Sequence, residues 1–132
     1  MSDPNSDLCY LTATECLAGF KANKLKPSEL VQALIARAQR HNPKINALTD
    51  CYFEHALQDS KIADRKYADG LATRPLEGLP ILVKDAQRVM GQRTTFGSLL
   101  HMEAEPDIES DPMIERLLNA GCIVLALSLI HI

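Results

Sequence analysis

The sequence predicts an α/β fold in which parallel strands are covered by helices. Two short apolar runs, at about Leu79–Val83 and Cys122–Leu127, have the length and composition of buried strands. Between them, "DPMIERLLNAG" predicts a helix at about Pro112–Ala120, with Asp111 as its cap and Gly121 just after its end. A strand, a helix and a second strand in this order predict a crossover connection and a parallel pair of strands.

Two helices are predicted near the N-terminus. In "LTATECLAGFKANKL" the spacing of Thr12 and Glu15 is that of a capping box, and we expect a helix at about Thr12–Lys21. The segment "KPSELVQALIARAQRHNP" has a proline suited to the first helical position and one apolar stripe. It predicts a helix at about Pro27–His41, ended by Pro43.

The next two predicted elements lead to the first buried strand. "NALTDCYFE" predicts a strand at about Ala47–Phe53, in which alternate residues face one side. A helix at about Glu54–Ala68 follows, stops at Gly70 and presents Asp64–Lys66 as a solvated face. We find no internal repeat, so a single domain is expected.

Composition and charge exclude several classes of partner. The chain has 132 residues, of which 46% are hydrophobic and 23% charged, so it has enough material for one globular core. The net charge is −3 and no basic stripe occurs, so no direct contact with nucleic acid is expected. The N-terminus lacks the features of a signal peptide and the longest apolar run is too short to span a bilayer. We therefore expect a cytoplasmic protein with no membrane partner.

The cysteines and histidines do not form a pattern typical of metal binding. Four cysteines occur without a CxxC pair, which argues against both a zinc site and a disulfide framework. The histidines have no ligand spacing either, and we expect no metal and no cofactor. These residues are Cys9, Cys16, Cys51, Cys122, His41, His55, His101 and His131.

The candidate catalytic residue is Lys84, which follows the apolar strand "LPILV" directly. Lysines at strand ends usually reach water, and spacing alone favours that interpretation. The alternative is a general base, since a buried lysine has a lowered pKa and, when neutral, can accept the proton of a serine hydroxyl. The carboxyl ends of parallel strands are also where sites gather in α/β proteins. The neighbouring Asp85 is expected to organise the turn by hydrogen bonds.

The segment "PLEGLPILVKDAQRVMGQRTTFGS" resembles the lysine segment of the amidase signature family. The flanking stretches "SELVQALIARAQRHNPKINAL" and "SDPMIERLLNAGCIVLA" resemble the family as well, so the resemblance covers roughly Leu11 to Ala126. The residues that match the family's pattern in the lysine segment are Pro75, Gly78, Pro80, Lys84, Asp85, Gly91, Thr94, Thr95, Gly97 and Ser98.

This resemblance implies a fold and a division of the chain. The family has a mixed sheet flanked by helices, of which this chain would carry a truncated N-terminal part. Residues 11–126 would form a partial amidase domain and residues 1–10 an N-terminal tail. Residues 127–132 depart from the family pattern, and we interpret them as the product of a truncated or frame-disrupted gene.

The resemblance also implies an activity, namely hydrolysis of carboxamide C–N bonds by a Ser–cisSer–Lys mechanism with Lys84 as the base. Its substrate would be a small-molecule amide bound by the full-length protein. The two serines lie in a Gly/Ser-rich segment that is absent from these 132 residues, so the isolated chain is expected to be inactive. Ser98 is expected to be a turn residue and not the nucleophile.

Two alternatives to a simple hydrolase stay open. The chain could be part of an A-type subunit of a glutaminyl- or aspartyl-tRNA amidotransferase, since the substrate would be chosen mostly by regions outside these 132 residues. It could also be a non-catalytic fragment or interaction module. The oligomeric state is not predicted.

Overall fold

A computed structural model describes residues 7–129, which form a three-stranded sheet with helices on both faces. In chain order the elements are a 3-10 helix Asp7–Tyr10, α1 Ala13–Lys21, α2 Pro27–Ile45, β1 Leu48–Cys51, α3 Phe53–Ala68, β2 Pro80–Lys84, a 3-10 helix Leu99–His101, α4 Pro112–Asn119 and β3 Ile123–Ser128.

The sheet has the strand order β1-β3-β2, so β3 lies at its centre. Strand β2 runs parallel to β3, whereas β1 runs antiparallel to it. The predicted α/β class, the parallel pair and the mixed sheet are therefore confirmed. Along β2 and β3 the register skips Leu125 of β3, an irregularity of the bulge type.

Strand β3 supplies both layers of the core, and the bulge places Leu127 on the same face as Val124. On one face, Ile123 and Leu125 pack with buried side chains of α2 and α3. On the other face, Val124 and Leu127 pack with Ile114 of α4. The remaining buried residues of these two clusters are Val31, Ile35 and Ala56 on the first face and Val83 and Val89 on the second.

The predicted start of α1 is confirmed in detail. The Glu15 N–H donates to the Thr12 hydroxyl at 3.2 Å, and the Thr12 N–H donates to the Glu15 carboxylate at 2.8 Å. This reciprocal capping box satisfies two of the donors that a helix start leaves unpaired. The buried Phe20 then anchors α1, with its ring centroid 5.8 Å from that of Tyr67 in α3.

The prediction that Pro43 ends α2 is wrong, because the helix continues through it to Ile45. Proline in the last turn removes one backbone donor, a smaller loss than in the middle of a helix. The helix ends instead at Asn46, which is left-handed with φ 49° and donates its N–H to the Asn42 carbonyl at 2.7 Å. The Asn42 side chain then accepts from the Leu48 N–H at 2.8 Å, which ties the helix end to β1.

The strand predicted at Ala47–Phe53 is shorter than expected. Tyr52 makes the last bond to the central strand, from its N–H to the Leu125 carbonyl at 3.0 Å, and Phe53 already belongs to α3. A register shift at Thr49 also breaks the expected alternation of sides. The strand β1 is thus a short, largely exposed edge.

Three expectations about side chains are corrected. The Asp64–Lys66 face is not simply solvated, since the Asp64 carboxylate accepts the Ser28 N–H at 3.0 Å and Lys66 forms an ion pair. Helical spacing predicts that Ile62 shares the apolar side of α3 with Ala56 and Ala63, but its side chain is 51% exposed. Asp111 occupies the cap position of α4, but its carboxylate accepts from the Arg88 N–H at 2.9 Å instead of capping the helix.

The two predicted tails, residues 1–10 and 127–132, lie partly outside the residues that the structure describes. Residues 1–6 and 130–132, which include His131, lie outside the described residues. Within residues 7–129, Asp7–Tyr10 forms a 3-10 helix, and Leu127 and Ser128 lie in β3. No helix in that range combines the length and apolarity needed to cross a bilayer.

The turn that leads into β2 is held by Glu77, a residue that the sequence analysis did not single out. Its side chain is 3% exposed and accepts from Arg74 Nη2 at 2.8 Å and from Lys66 Nζ at 3.1 Å. Gly121, with φ 108°, lies so close that an added Cβ would be 2.6 Å from the Glu77 Cα. The Gly78 N–H donates to the Gly121 carbonyl at 3.0 Å, so this turn is fastened to the start of β3.

Glu77 makes the stability of the fold depend on pH. The hydrogen bonds from Arg74 lower the pKa of the Glu77 carboxyl from 4.5 to about 2. A carboxyl whose pKa is lowered by folding stabilises the fold above its unfolded pKa, and this contribution is lost as the pH falls towards the folded value. We expect up to about 3 kcal/mol of stability to disappear between about pH 5 and pH 2.

The matched variants are Glu77→Gln and Glu105→Gln, the second at an exposed position. Glu77→Gln should lose about 3 kcal/mol at pH 7, because two cationic partners lose their carboxylate. It should also show a flatter dependence of Tm on pH below 5, while Glu105→Gln follows the unsubstituted chain. Denaturant unfolding at pH 7 and melting from pH 7 to 2.5 measure both effects, and parallel pH profiles would contradict this role for Glu77.

Candidate active site

Lys84 is the last residue of β2 and lies at the carboxyl end of the parallel pair, opposite Ser128 of β3. The next backbone N–H, that of Asp85, donates to the Ser128 carbonyl at 2.7 Å, so the main chain at Lys84 is fixed to the central strand. The Lys84 side chain is exposed. Among residues 7–129 its ammonium group has neither a hydrogen-bond partner nor an ion-pair partner.

Asp85 organises the turn after Lys84, as the sequence predicts. The Asp85 side chain is 1% exposed and accepts the Thr95 N–H at 2.7 Å and the Thr95 hydroxyl through its other oxygen. The Thr95 hydroxyl oxygen in turn accepts the Gly97 N–H at 3.2 Å. A buried carboxylate that receives two hydrogen bonds is well satisfied, so the Thr95–Gly97 backbone is held beside Lys84.

The rest of the loop between β2 and α4 is closed by further hydrogen bonds. The Thr94 hydroxyl donates to the Asp107 carboxylate at 2.6 Å. The backbone of Asp107 is paired as well, since its carbonyl accepts the Gly91 N–H at 2.7 Å and its N–H donates to the Gln92 carbonyl at 2.8 Å. The acidic segment 103–111, which contains Asp107, is therefore folded against the part of the loop that carries Thr94 and Thr95.

Tyr52 lies beneath this loop and was missed by sequence reasoning, which assigned it to a strand. Its hydroxyl donates to the Asp50 carboxylate at 2.9 Å, and its ring packs against the cluster that contains Val83 and Val89. Burial, the hydrogen bond to Asp50 and the negative charge of Asp85 raise the pKa of Tyr52 well above its usual range. Tyr52 is therefore a neutral hydrogen-bond donor at every working pH.

Ser98 and Ser60 have local structural roles. Ser98 lies at the start of the second 3-10 helix, where its hydroxyl oxygen accepts the Leu100 N–H at 3.3 Å, so its predicted role as a turn residue is confirmed. The buried Ser60 hydroxyl donates to the Leu57 carbonyl at 2.8 Å within α3. No serine hydroxyl in residues 7–129 is hydrogen-bonded to the Lys84 ammonium.

Comparison with known proteins assigns the family. The profile of the family described as Amidase matches residues 29–129, which is most of the chain and includes Lys84, Asp85 and both threonines. The chain belongs to the amidase signature family. The resemblance inferred from the lysine segment is thereby confirmed.

Curated relatives and solved structures agree with this assignment. The chain is 34% identical over 119 residues to an acylamidase of Rhodococcus erythropolis, covering 90% of this chain and 25% of that protein. It is equally similar, at 34% over 125 residues, to the A-type subunit of the glutamyl-tRNA(Gln) amidotransferase of Anaeromyxobacter sp. (strain K), covering 95% of this chain and 25% of the relative. The solved peptide amidase from Stenotrophomonas maltophilia superimposes with a TM-score of 0.81 at 28% identity, covering 95% of this chain and 26% of that one. The chain thus spans about a quarter of the length of these relatives.

The contact between Asp85 and Thr95 can be tested in the chain alone. In Asp85→Asn the amide group has one acceptor oxygen in place of two, so one of the two Thr95 donors loses its partner. We expect a loss of about 1–3 kcal/mol in unfolding free energy and faster hydrogen exchange at the Thr95 and Gly97 amides. Asp69→Asn, at an exposed position after α3, is the matched control and should change neither. Unchanged exchange at Thr95 in Asp85→Asn would show that Asp85 does not hold the loop.

Proposed function

We propose that Lys84 is the general base of a Ser–cisSer–Lys amidase site and that the chain takes part in cleaving the C–N bond of a carboxamide. The observation that carries this proposal is the position of Lys84 in a chain of the amidase signature family. It ends a strand of a parallel pair and is followed by a buried Asp85 that holds Thr95 beside it. The carboxyl end of a parallel strand is a favoured place for a catalytic group in α/β proteins.

In the proposed reaction, Lys84 accepts a proton from a serine that follows a cis peptide bond, and this serine takes the proton of the nucleophilic serine. The nucleophile attacks the carbonyl carbon, backbone N–H groups stabilise the oxyanion, and the C–N bond breaks to give an acyl-enzyme. The proton returns through the same relay to the leaving amine. Water then attacks the acyl-enzyme and releases the acid.

This mechanism requires two features beyond residues 7–129. The first is the pair of serines, since no Gly/Ser-rich segment occurs in the 132 residues. The second is a cover over Lys84, because a lysine must be neutral to act as a base and burial is what favours the neutral form. The exposed position of Lys84 therefore supports the further proposal that the 132-residue chain alone does not hydrolyse amides.

Two activities share this proposed site. A hydrolase would release the amine or ammonia to solvent, whereas an amidotransferase would pass ammonia to an acceptor. The equal identity of 34% to an acylamidase and to the A-type subunit of an amidotransferase supports both. The residues present favour neither the hydrolase nor the amidotransferase. Assays with an amide substrate of each kind separate the two activities.

The test is a chimaera in which this chain replaces the matching quarter of the Rhodococcus erythropolis acylamidase. The chimaera should give a burst of product from an activated anilide as the acyl-enzyme forms. Lys84→Ala and Lys84→Arg should both reduce the burst rate by about 10²–10⁴-fold, because arginine stays protonated and cannot accept the proton. Lys61→Ala, an exposed lysine of α3, is the control and should retain the full burst.

A full burst in Lys84→Arg would exclude Lys84 as the base. Ammonia release from glutamine compared with cleavage of the anilide, measured on the full-length protein, separates the amidotransferase from the hydrolase. The isolated chain, measured alongside, should show no turnover of either substrate. If it turned over an amide, the proposed reliance on external serines would fail, and Ser98→Ala would be the first variant to examine.

A further inference from the structure

A cavity of about 360 Å³ is bounded by α3, α4, the start of β3 and the loop from Val89 to Gln92, and we call it the Gln92 cavity. Its volume is in the range of small-molecule sites and is many times that of one water molecule. None of the residues that hold the lysine turn lines it, so it is separate from the candidate active site. The side chains that line it include Tyr52, His55, Asp59, Met90, Gln92 and Leu118.

The side-chain carboxamide of Gln92 lines this cavity without a partner. Its Oε1 atom is buried and accepts no hydrogen bond, and its Nε2 atom donates none within residues 7–129. A buried amide oxygen without a donor costs free energy, so such groups are rare in folded proteins. The backbone of Gln92 is fixed on both sides, because its N–H donates to the Val89 carbonyl at 2.9 Å and its carbonyl accepts the Asp107 N–H at 2.8 Å. The carboxamide is therefore held at the cavity with its donors and its acceptor unused.

The other polar groups around the cavity narrow the class of ligand. The Tyr52 hydroxyl is already used, since it donates to the Asp50 carboxylate at 2.9 Å. The Asp59 carboxylate makes no hydrogen bond or ion pair within the described part of the chain. Arg74, which lines the adjoining cleft with Asp59, is held by two hydrogen bonds of 2.8 Å to Glu77. An anionic ligand in the Gln92 cavity would therefore meet an unpaired carboxylate.

Apolar side chains complete the lining of the cavity. They come from the loop, from the end of α4 and from the start of β3, and they can pack against a ring or a short alkyl chain. A cavity with an apolar lining and a few polar groups is typical of sites that bind small molecules. These side chains are Val89, Met90, Leu118, Ile123 and Val124.

We propose that the Gln92 cavity binds a small uncharged carboxamide that carries an apolar group. An N–H of the ligand donates to Gln92 Oε1, and the Gln92 Nε2–H donates to the ligand carbonyl, so that each amide satisfies the other. An ammonium ion has donors only and a carboxylate has acceptors only, so neither can complete this exchange. The site requires neither Lys84 nor a serine, and it is independent of the proposed function.

The experiment titrates the isotopically labelled chain with benzamide, benzylamine and benzoate and follows the binding by NMR. It is carried out at pH 8, at which imidazole groups are mostly uncharged. The three probes share an aromatic ring and differ in the polar group. Benzamide should bind with a Kd of about 1 mM and shift the side-chain NH₂ signals of Gln92. Benzylamine and benzoate should bind at least about 10-fold more weakly, because each leaves part of the Gln92 amide unpaired.

The matched variants are Gln92→Leu and Gln58→Leu, the second at an exposed position of α3 outside the cavity. Gln92→Leu should weaken the binding of benzamide at least about 10-fold, because the ligand amide loses its partner. Its Tm should not fall, since the amide that it removes has no hydrogen bond to lose. Gln58→Leu should bind benzamide like the unsubstituted chain. A clear fall in the Tm of Gln92→Leu would show that this amide already has a structural partner, and would count against the proposal.

The position of the ligand is measured in the unsubstituted chain by nuclear Overhauser effects from the ring protons of benzamide. Contacts with the methyl groups of Met90 and Leu118 are expected. Contacts with Leu82 instead would place benzamide in the apolar cavity between α2 and the sheet and would overturn the proposal. The absence of saturable binding would show that water alone occupies the Gln92 cavity. Tighter binding of benzylamine than of benzamide would make Asp59, and not Gln92, the group that selects the ligand.

Discussion

The pairing of β2 with the central strand β3 is the interaction on which the arrangement of this chain depends. Two buried carboxylates hold β2 in that pairing, one before the strand and one after it. Glu77 orders the entry turn, in which the Gly78 N–H bonds to Gly121 just before β3, and Asp85 orders the exit turn, where its own N–H bonds to Ser128. The helices then pack on β3 from both faces. The backbone of Lys84 lies next to the exit turn, at the end of a strand that is held at both ends.

The two carboxylates are satisfied in different ways, and the difference matters at the site. Glu77 is neutralised by Arg74 and Lys66, so it acts as a structural ion pair. Asp85 receives its hydrogen bonds from Thr95, which supplies dipoles and no positive charge. The turn beside Lys84 is therefore held by a buried carboxyl group that forms no ion pair within residues 7–129.

Much of the fold could be predicted from local sequence, because caps and apolar periodicity are local properties. The capping box at Thr12, the proline start of α4 and the two parallel strands all follow from residues close in the chain. The end of α2 and the length of β1 could not, since Asn42 and Tyr52 act through contacts with other elements. Lys84 itself was found by resemblance, but its exposure depends on what covers β2, and no local pattern reports that. Glu77 was missed for the same reason, because its partners lie in the turn and in α3.

Because of the bulge at Leu125, the pairing of β3 with β2 depends on the exact number of residues in β3. If β3 kept its length but alternated regularly, Leu127 would face α2 and α3, and the layer beneath α4 would lose one of its large side chains. The carbonyl of Ser128, which receives the Asp85 N–H, would be displaced with it. One more residue in this strand before Ser128 would thus shift the carbonyl that receives the Asp85 N–H, whereas the exposed Gly70–Leu71 connection should absorb insertions. Length variation among natural sequences of this type should accordingly be concentrated before β2 and almost absent within β3.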